Sequence, residues 1–261
     1  MTEPGRNMAH LLAAPRALRA LARVRPGVPA NLRAVRRVAF FPRLGLAFNR
    51  VKKNANTSLM ILLTELEAEA AVRAGAARPG AAGAPRMVTL FDLDAGDLAR
   101  LDRFHWFVVV RNPYSRVLSA FLDKFRHPDW QRRHGAFPLT PDGFGAFLDW
   151  LERGGLTRDL HWNLQTRLML FPPVAQDSVI RFETLRPGVQ AMLEGCGIAA
   201  PAELLAERPA SDRAKETAAD VRLSAFYTPA RAAQVARLHA ADFAALGYDP
   251  ALPEAASPVA S

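Results

Sequence analysis

The stretch Phe107-Val108-Val109-Val110-Arg111-Asn112-Pro113-Tyr114-Ser115-Arg116-Val117-Leu118-Ser119 decides the fold. Its opening run of apolar residues is rich in β-branched valine and reads as a strand covered on both faces, as in a parallel sheet. Asn112 follows as an N-cap and Pro113 as a first helical residue with φ already set. A helix is therefore expected from Pro113 to about Phe125. A strand passing through a tight polar turn into a helix is the building unit of an α/β domain.

Working outward, the unit recurs. Leu46 to Val51 reads as a strand, followed by a polar turn and a helix-favouring run from Ser58 to Arg73. Residues 74–86 are an Ala/Gly/Pro connection. Asp142 can cap a helix through Trp150, Ser178 to Phe182 reads as a strand, and Leu185 to Leu193 as a helix ended by Gly195. A last helix is expected from Pro229 to Leu246, stopped by Gly247. The alternation specifies an α/β, three-layer domain with a mainly parallel central sheet. With 261 residues, 50% hydrophobic and 23% charged, one core suffices.

The formal charge of +9 is unevenly spread. Residues 1–43 hold nine arginines against one acid, Glu3, while residues 44–261 hold 25 basic and 24 acidic groups. The expected organisation is a basic N-terminal arm (1–43), a domain (44–250) and a C-terminal tail (251–261). The nearly neutral body argues against a nucleic-acid partner. Within the arm, a helix from Leu11 to Arg25 would set Leu11, Leu18 and Leu21 against Arg16, Arg19 and Arg23. Such a basic amphipathic segment suits peripheral contact with an anionic membrane, and a solvated arm is the other reading. No stretch reaches the roughly 18 apolar residues of a membrane span. The single cysteine, Cys196, excludes an internal disulfide and fits a reducing compartment such as the cytoplasm.

Two turns carry the chemistry. Lys52-Lys53-Asn54-Ala55-Asn56-Thr57-Ser58 joins a strand to a helix start, where free backbone N–H groups and the helix dipole attract an anion. Lysine adds a point charge, and the Thr57 and Ser58 hydroxyls can donate. A Walker loop is excluded because the segment has no glycine and Lys53 precedes Thr57 by four positions. An ordinary capped helix would also explain this segment alone. In the second turn, Arg111 at a strand end can fold over the next helix start and share an anion with Ser119, with Arg116 near the same face.

The pair KKNANTSL (52–59) and RNPYSRVLSAFLDKF (111–125) resembles the two signatures by which carbohydrate sulfotransferases bind 3′-phosphoadenosine 5′-phosphosulfate (PAPS). His161-Trp162-Asn163-Leu164-Gln165, Ile180-Arg181-Phe182-Glu183-Thr184-Leu185 and Asp242-Phe243 through Gly247-Tyr248 resemble further segments of the family in the same order. The resemblance implies a P-loop-nucleotide-kinase-like sulfotransferase fold. It implies binding of PAPS through Lys52, Lys53, Asn54, Ala55, Asn56, Thr57, Ser58, Arg111 and Ser119. Lys53 would meet the 5′-phosphate and sulfuryl oxygens, Thr57 and Ser58 the 5′-phosphate, and Arg111 and Ser119 the 3′-phosphate. Ala55 stands where the family usually has glycine.

Sulfuryl transfer is in-line displacement with charge building on the leaving phosphate, so Lys53 is the expected stabiliser of the leaving group. The acceptor hydroxyl needs a base, for which His161 is the candidate and His127 and His134 its competitors. No cluster of ligating residues at metal spacing is evident, and this chemistry needs no metal. The resemblance implies a carbohydrate acceptor. The alternative reading is a catalytically inactive module of the same fold that binds a nucleotide or anionic glycan.

Overall fold

The computed structural model describes residues 15–75, 87–199, 219 and 222–253. Its sheet has the order β1-β2-β3-β4, formed by Val38–Phe41, Leu46–Asn49, His105–Val110 and Ser178–Arg181. β1 is antiparallel to β2, whereas β2, β3 and β4 run parallel, with Phe48 opposite Phe107 and Val108 opposite Val179. The pleat sends alternate residues of β3 to opposite faces. Phe107 and Val109 join Phe48, Leu63, Leu66 and Val189 on one face, while Trp106, Val108 and Val110 serve cores on the other.

Helical residues 15–24 form α1. The remaining helices are α2 (Asn56–Arg73), α3 (Ala95–Ala99), α4 (Pro113–Lys124), α5 (Pro128–His134), α6 (Pro141–Glu152), α7 (Leu185–Gly195), α8 (Leu223–Phe226), α9 (Pro229–Leu238) and α10 (Ala240–Leu246). α2 and α7 cover the Phe107 face; α4, α6 and the C-terminal helices cover the other. This is the three-layer α/β architecture expected.

The decisive stretch forms as its residues dictate. Asn112 caps α4 by accepting from the Tyr114 N–H at 2.9 Å, with Pro113 in the first turn. Every residue of α4 is buried. Its polar side chains are therefore held inside the molecule, where each must find a partner.

Three local readings shift. Thr140, rather than Asp142, caps α6, accepting from the Gly143 N–H at 3.1 Å. The C-terminal helix divides at His239, whose ring is fully buried beside Asp242. The boundary at residue 44 also moves, because β1 lies within the stretch read as an arm and supplies four buried residues to the sheet. In α1, Ala17, Ala20, Leu21 and Val24 pack into a core with Phe40, Phe104 and Trp106, while Leu18 is exposed. The apolar face of that helix is thus turned on the domain itself. Leu11, residues 76–86 and residues 254–261 lie outside the described residues.

Candidate active site

The first turn joins β2 to α2 and the second joins β3 to α4. Parallel pairing of β2 with β3 sets both at the same sheet edge. In the first turn Lys53 and Ala55 take positive φ, 71° and 54°. Alanine in this left-handed region is strained by roughly 1–2 kcal/mol, so the turn adopts the conformation that glycine would take without cost. The first backbone bond of α2 runs from Leu59 N–H to the Ala55 carbonyl at 3.0 Å. No side chain caps the helix, so the N–H groups of Asn56, Thr57 and Ser58 remain available at its positive end.

The strain is held by buried side chains from elsewhere. Asn54 is fully buried and donates to the Val109 carbonyl at 2.8 Å and to Gln165 Oε1 at 2.7 Å. Arg111 donates to the Lys53 carbonyl at 3.3 Å, and Arg116 to the Lys52 carbonyl at 3.1 Å. Gln165 also accepts from the Arg111 N–H at 3.0 Å and donates to the Arg111 carbonyl at 2.8 Å. One amide therefore fastens both turns. Its own N–H donates to Asp242 at 2.7 Å, and Asp242 further accepts from Thr166. Glu183, although exposed, accepts from the Asn112 N–H and the Tyr248 hydroxyl, each at 2.8 Å. Among the five ordered segments, the later three thus brace the first two.

Within this frame the charged groups separate into roles. Lys53 Nζ lies 3.1 Å from Asp123 Oδ2, and Lys124 Nζ lies 2.9 Å from the same oxygen. Burial pushes the Lys53 ammonium down to about 8 despite Asp123. Burial alone would raise the Asp123 carboxyl, but Lys53 and Lys124 hold it at about 2. The Arg111 guanidinium stacks 4.1 Å over the Phe182 ring and donates to the Ser115 hydroxyl at 3.0 Å. Ser119 is buried one turn further along the same face of α4. Arg111 thus holds Ser115 directly, and Ser119, expected to share an anion with it, lies one turn further along α4.

Arg116 is turned inward. Fully buried, it spends its donors on the carbonyls of Lys52, Asn163 and Leu160, which latches the first turn to the His161 segment. The Asn54 Nδ2 is likewise committed, although its Oδ1 is buried without a partner, and the Asn56 Oδ1 accepts from Arg50 at 2.7 Å. Thr57 is exposed and Ser58 half-buried at the α2 start. Lys52 lines a cleft with Arg50, and its charge also bears on His161.

His161 Nδ1 stands 2.6 Å from Asp159 Oδ1, which also accepts the His161 backbone N–H at 2.9 Å. The Trp130 ring meets the imidazole edge-on at 5.1 Å. Burial lowers the imidazole below its ordinary value, Asp159 opposing, with Lys124 and Lys52 adding to the lowering. A neutral ring whose Nδ1–H is held by a carboxylate presents Nε2 as an acceptor. His134 packs among Trp130, Trp150 and Trp162 with Nε2 buried and unpartnered, and His127 precedes α5. Sequence reasoning missed Asp123, Asp159 and Gln165. The Asp-Lys-Phe triplet at 123–125 was a signal for Asp123, and Asp159 two residues before His161 was a weaker one.

Among the described residues, no group of three His, Cys, Asp or Glu side chains could hold a metal ion, and no helix is long and apolar enough to cross a membrane. The sequence model of the sulfotransferase family matches residues 36–249, a span that includes β1. No curated protein and no solved structure matches the chain.

Proposed function

The chain belongs to the sulfotransferase family, and from that premise we propose that it moves a sulfuryl group from PAPS to a hydroxyl of a carbohydrate acceptor. The observation that carries the reading is the convergence of Lys53, Arg111 and the uncapped start of α2 on one sheet edge. Two anion-seeking turns side by side suit a nucleotide phosphorylated at both 5′ and 3′ positions. The donors present fit such a group: free N–H groups and the Thr57 and Ser58 hydroxyls for the 5′-phosphate, with Arg111 over Phe182 for the 3′-phosphate.

In transfer, the acceptor oxygen attacks sulfur while the bond from sulfur to the bridging phosphate oxygen breaks in line. Lys53 is the cation placed to offset charge on the departing phosphate, and Asp123 keeps that ammonium charged near neutral pH. His161 Nε2 takes the hydroxyl proton, and Asp159 holds the ring in the tautomer that can do so. The carbohydrate acceptor rests on resemblance to carbohydrate sulfotransferases. Calorimetry with 3′-phosphoadenosine 5′-phosphate (PAP) against ADP and ATP tests the donor. Tighter binding of PAP is expected; preference for ATP, or no binding, overturns the reading.

A further inference from the structure

Three consecutive residues at the end of α4, Asp123, Lys124 and Phe125, each reach a different part of the site. Asp123 Oδ2 lies 3.1 Å from Lys53 Nζ and 2.9 Å from Lys124 Nζ. Lys124 Nζ lies in turn 5.0 Å from the centre of the Trp130 ring, and that ring meets His161 at 5.1 Å. The Phe125 ring stacks on Trp162, the neighbour of His161, at 5.9 Å. A continuous chain of contacts thus runs from Lys53 through Asp123, Lys124 and Trp130 to His161.

Charge pairing does not account for Lys124. Lys53 already balances Asp123, so the Lys124 ammonium, on a side chain only 11% exposed, is a positive charge in excess at a buried place. The face of an aromatic ring attracts a cation and offsets part of that cost, and Trp130 supplies the face. Trp130 is half-buried on α5, a helix with no fully buried residue. Trp162 links its ring to the core, but the other ring neighbours are Lys124, Arg133, His134 and His161. Hydrogen bonds fix the helix there. The His127 N–H donates to the Lys124 carbonyl at 3.1 Å, the Trp130 N–H to the His127 carbonyl at 3.0 Å, and the Gln131 side chain to the Phe125 carbonyl at 2.6 Å.

Both neighbours act on the imidazole in one direction. Trp130 takes water away from one side of the ring, and burial is the main cause that lowers it; the Lys124 charge adds to the lowering. The other charged groups around it are Asp159 from its own segment, which opposes, and Lys52 from the first turn, which adds. His134 and Arg133 of α5 stand behind Trp130, and Arg116 of α4 holds the Leu160 and Asn163 carbonyls on either side of His161. A neutral imidazole held in one orientation is ready to take a proton, whereas a protonated or turning ring is not.

We propose that Lys124 and Trp130 are positioning residues for the transfer, orienting His161 and tying it to the donor lysine through Asp123. The proposal rests on the transfer reading with His161 as base and adds two residues to it.

The test follows the His161 imidazole by NMR through a pH titration of protein carrying isotope-labelled histidine, with kcat and KM measured over the same range. Loss of one signal in His161→Gln assigns it, and the remaining histidine signals report the fold. Trp130→Ala and Lys124→Met should each move the His161 titration, and the acid limb of the pH–rate profile, to higher pH, because each removes an influence that lowers the ring. The kcat of each should fall roughly ten- to a hundredfold with KM little changed. Trp130→Phe keeps a ring and Lys124→Arg keeps a cation that stacks on one, so both should restore most of the wild-type behaviour. An unmoved His161 titration in both Trp130→Ala and Lys124→Met, or equal losses in Lys124→Met and Lys124→Arg, overturns the proposal while the base reading stands. Where Trp130→Ala does not fold, Lys124→Met decides by the same titration. Full activity in His161→Gln overturns the base reading and the proposal with it.

Discussion

Lys53 and Asp123 are both almost wholly inside the protein, with side chains 12% and 4% exposed, yet they should respond in opposite ways to removal. The Asp123 carboxyl is held at about 2 against an ordinary 3.8, which corresponds to about 2 kcal/mol of stability. Because the folded value is depressed, that stability is present above pH 3.8 and is lost as pH falls through about 2. Lys53 is displaced the other way for a cation, from 10.5 to about 8, so its burial outweighs the attraction of its partner. Asp123→Asn should therefore destabilise the protein at pH 7 by about 2 kcal/mol, leaving buried ammonium groups without a counter-charge. Lys53→Met should stay within about 1 kcal/mol of wild type, since an apolar group of similar volume replaces a buried charge and Lys124 remains 2.9 Å from Asp123. Lys53→Met should nevertheless abolish sulfuryl transfer. Urea unfolding at pH 7 and near pH 2, with activity measured on the same samples, separates the cases. Equal destabilisation by both substitutions, an Asp123→Asn deficit that persists near pH 2, or normal turnover by Lys53→Met would refute the reasoning.

Three further outcomes follow from the same geometry. Ala55→Gly should raise stability by about 0.5–1 kcal/mol, since it removes left-handed strain at φ 54° and gives back part as chain entropy; a lower melting temperature would mean that the Cβ packing matters more. Asp159→Asn should lower kcat by roughly ten- to a hundredfold with little change in KM, and shift the acid limb of the pH–rate profile to lower pH because Asp159 raises the His161 value; an unchanged profile removes His161 as the base. Gln165→Ala should cost about 2–3 kcal/mol and weaken PAP binding, because Asn54 and the Arg111 backbone lose their shared partner; unaltered PAP affinity would show that the turns hold their shape unaided.

What the amino-acid sequence determined by itself is the part of this protein governed by near neighbours. The valine run, Asn112 and Pro113 make a strand, a cap and a helix start through contacts within a few residues, so β3, α4 and the turn between them were legible. The tertiary structure alone decided which charged groups face which. Lys53 meets Asp123, Asn54 meets Gln165 across 111 residues, and Arg116 turns inward to three backbone carbonyls. It also decided that β1 belongs to the sheet and that α1 lies on the domain, because VAFF reads equally well in a strand or a buried turn until Leu46–Asn49 pairs with it. The left-handed Ala55 belongs to the same class. Local preference opposes it, and only distant side chains clamping the carbonyls of Lys52 and Lys53 hold the turn in that shape.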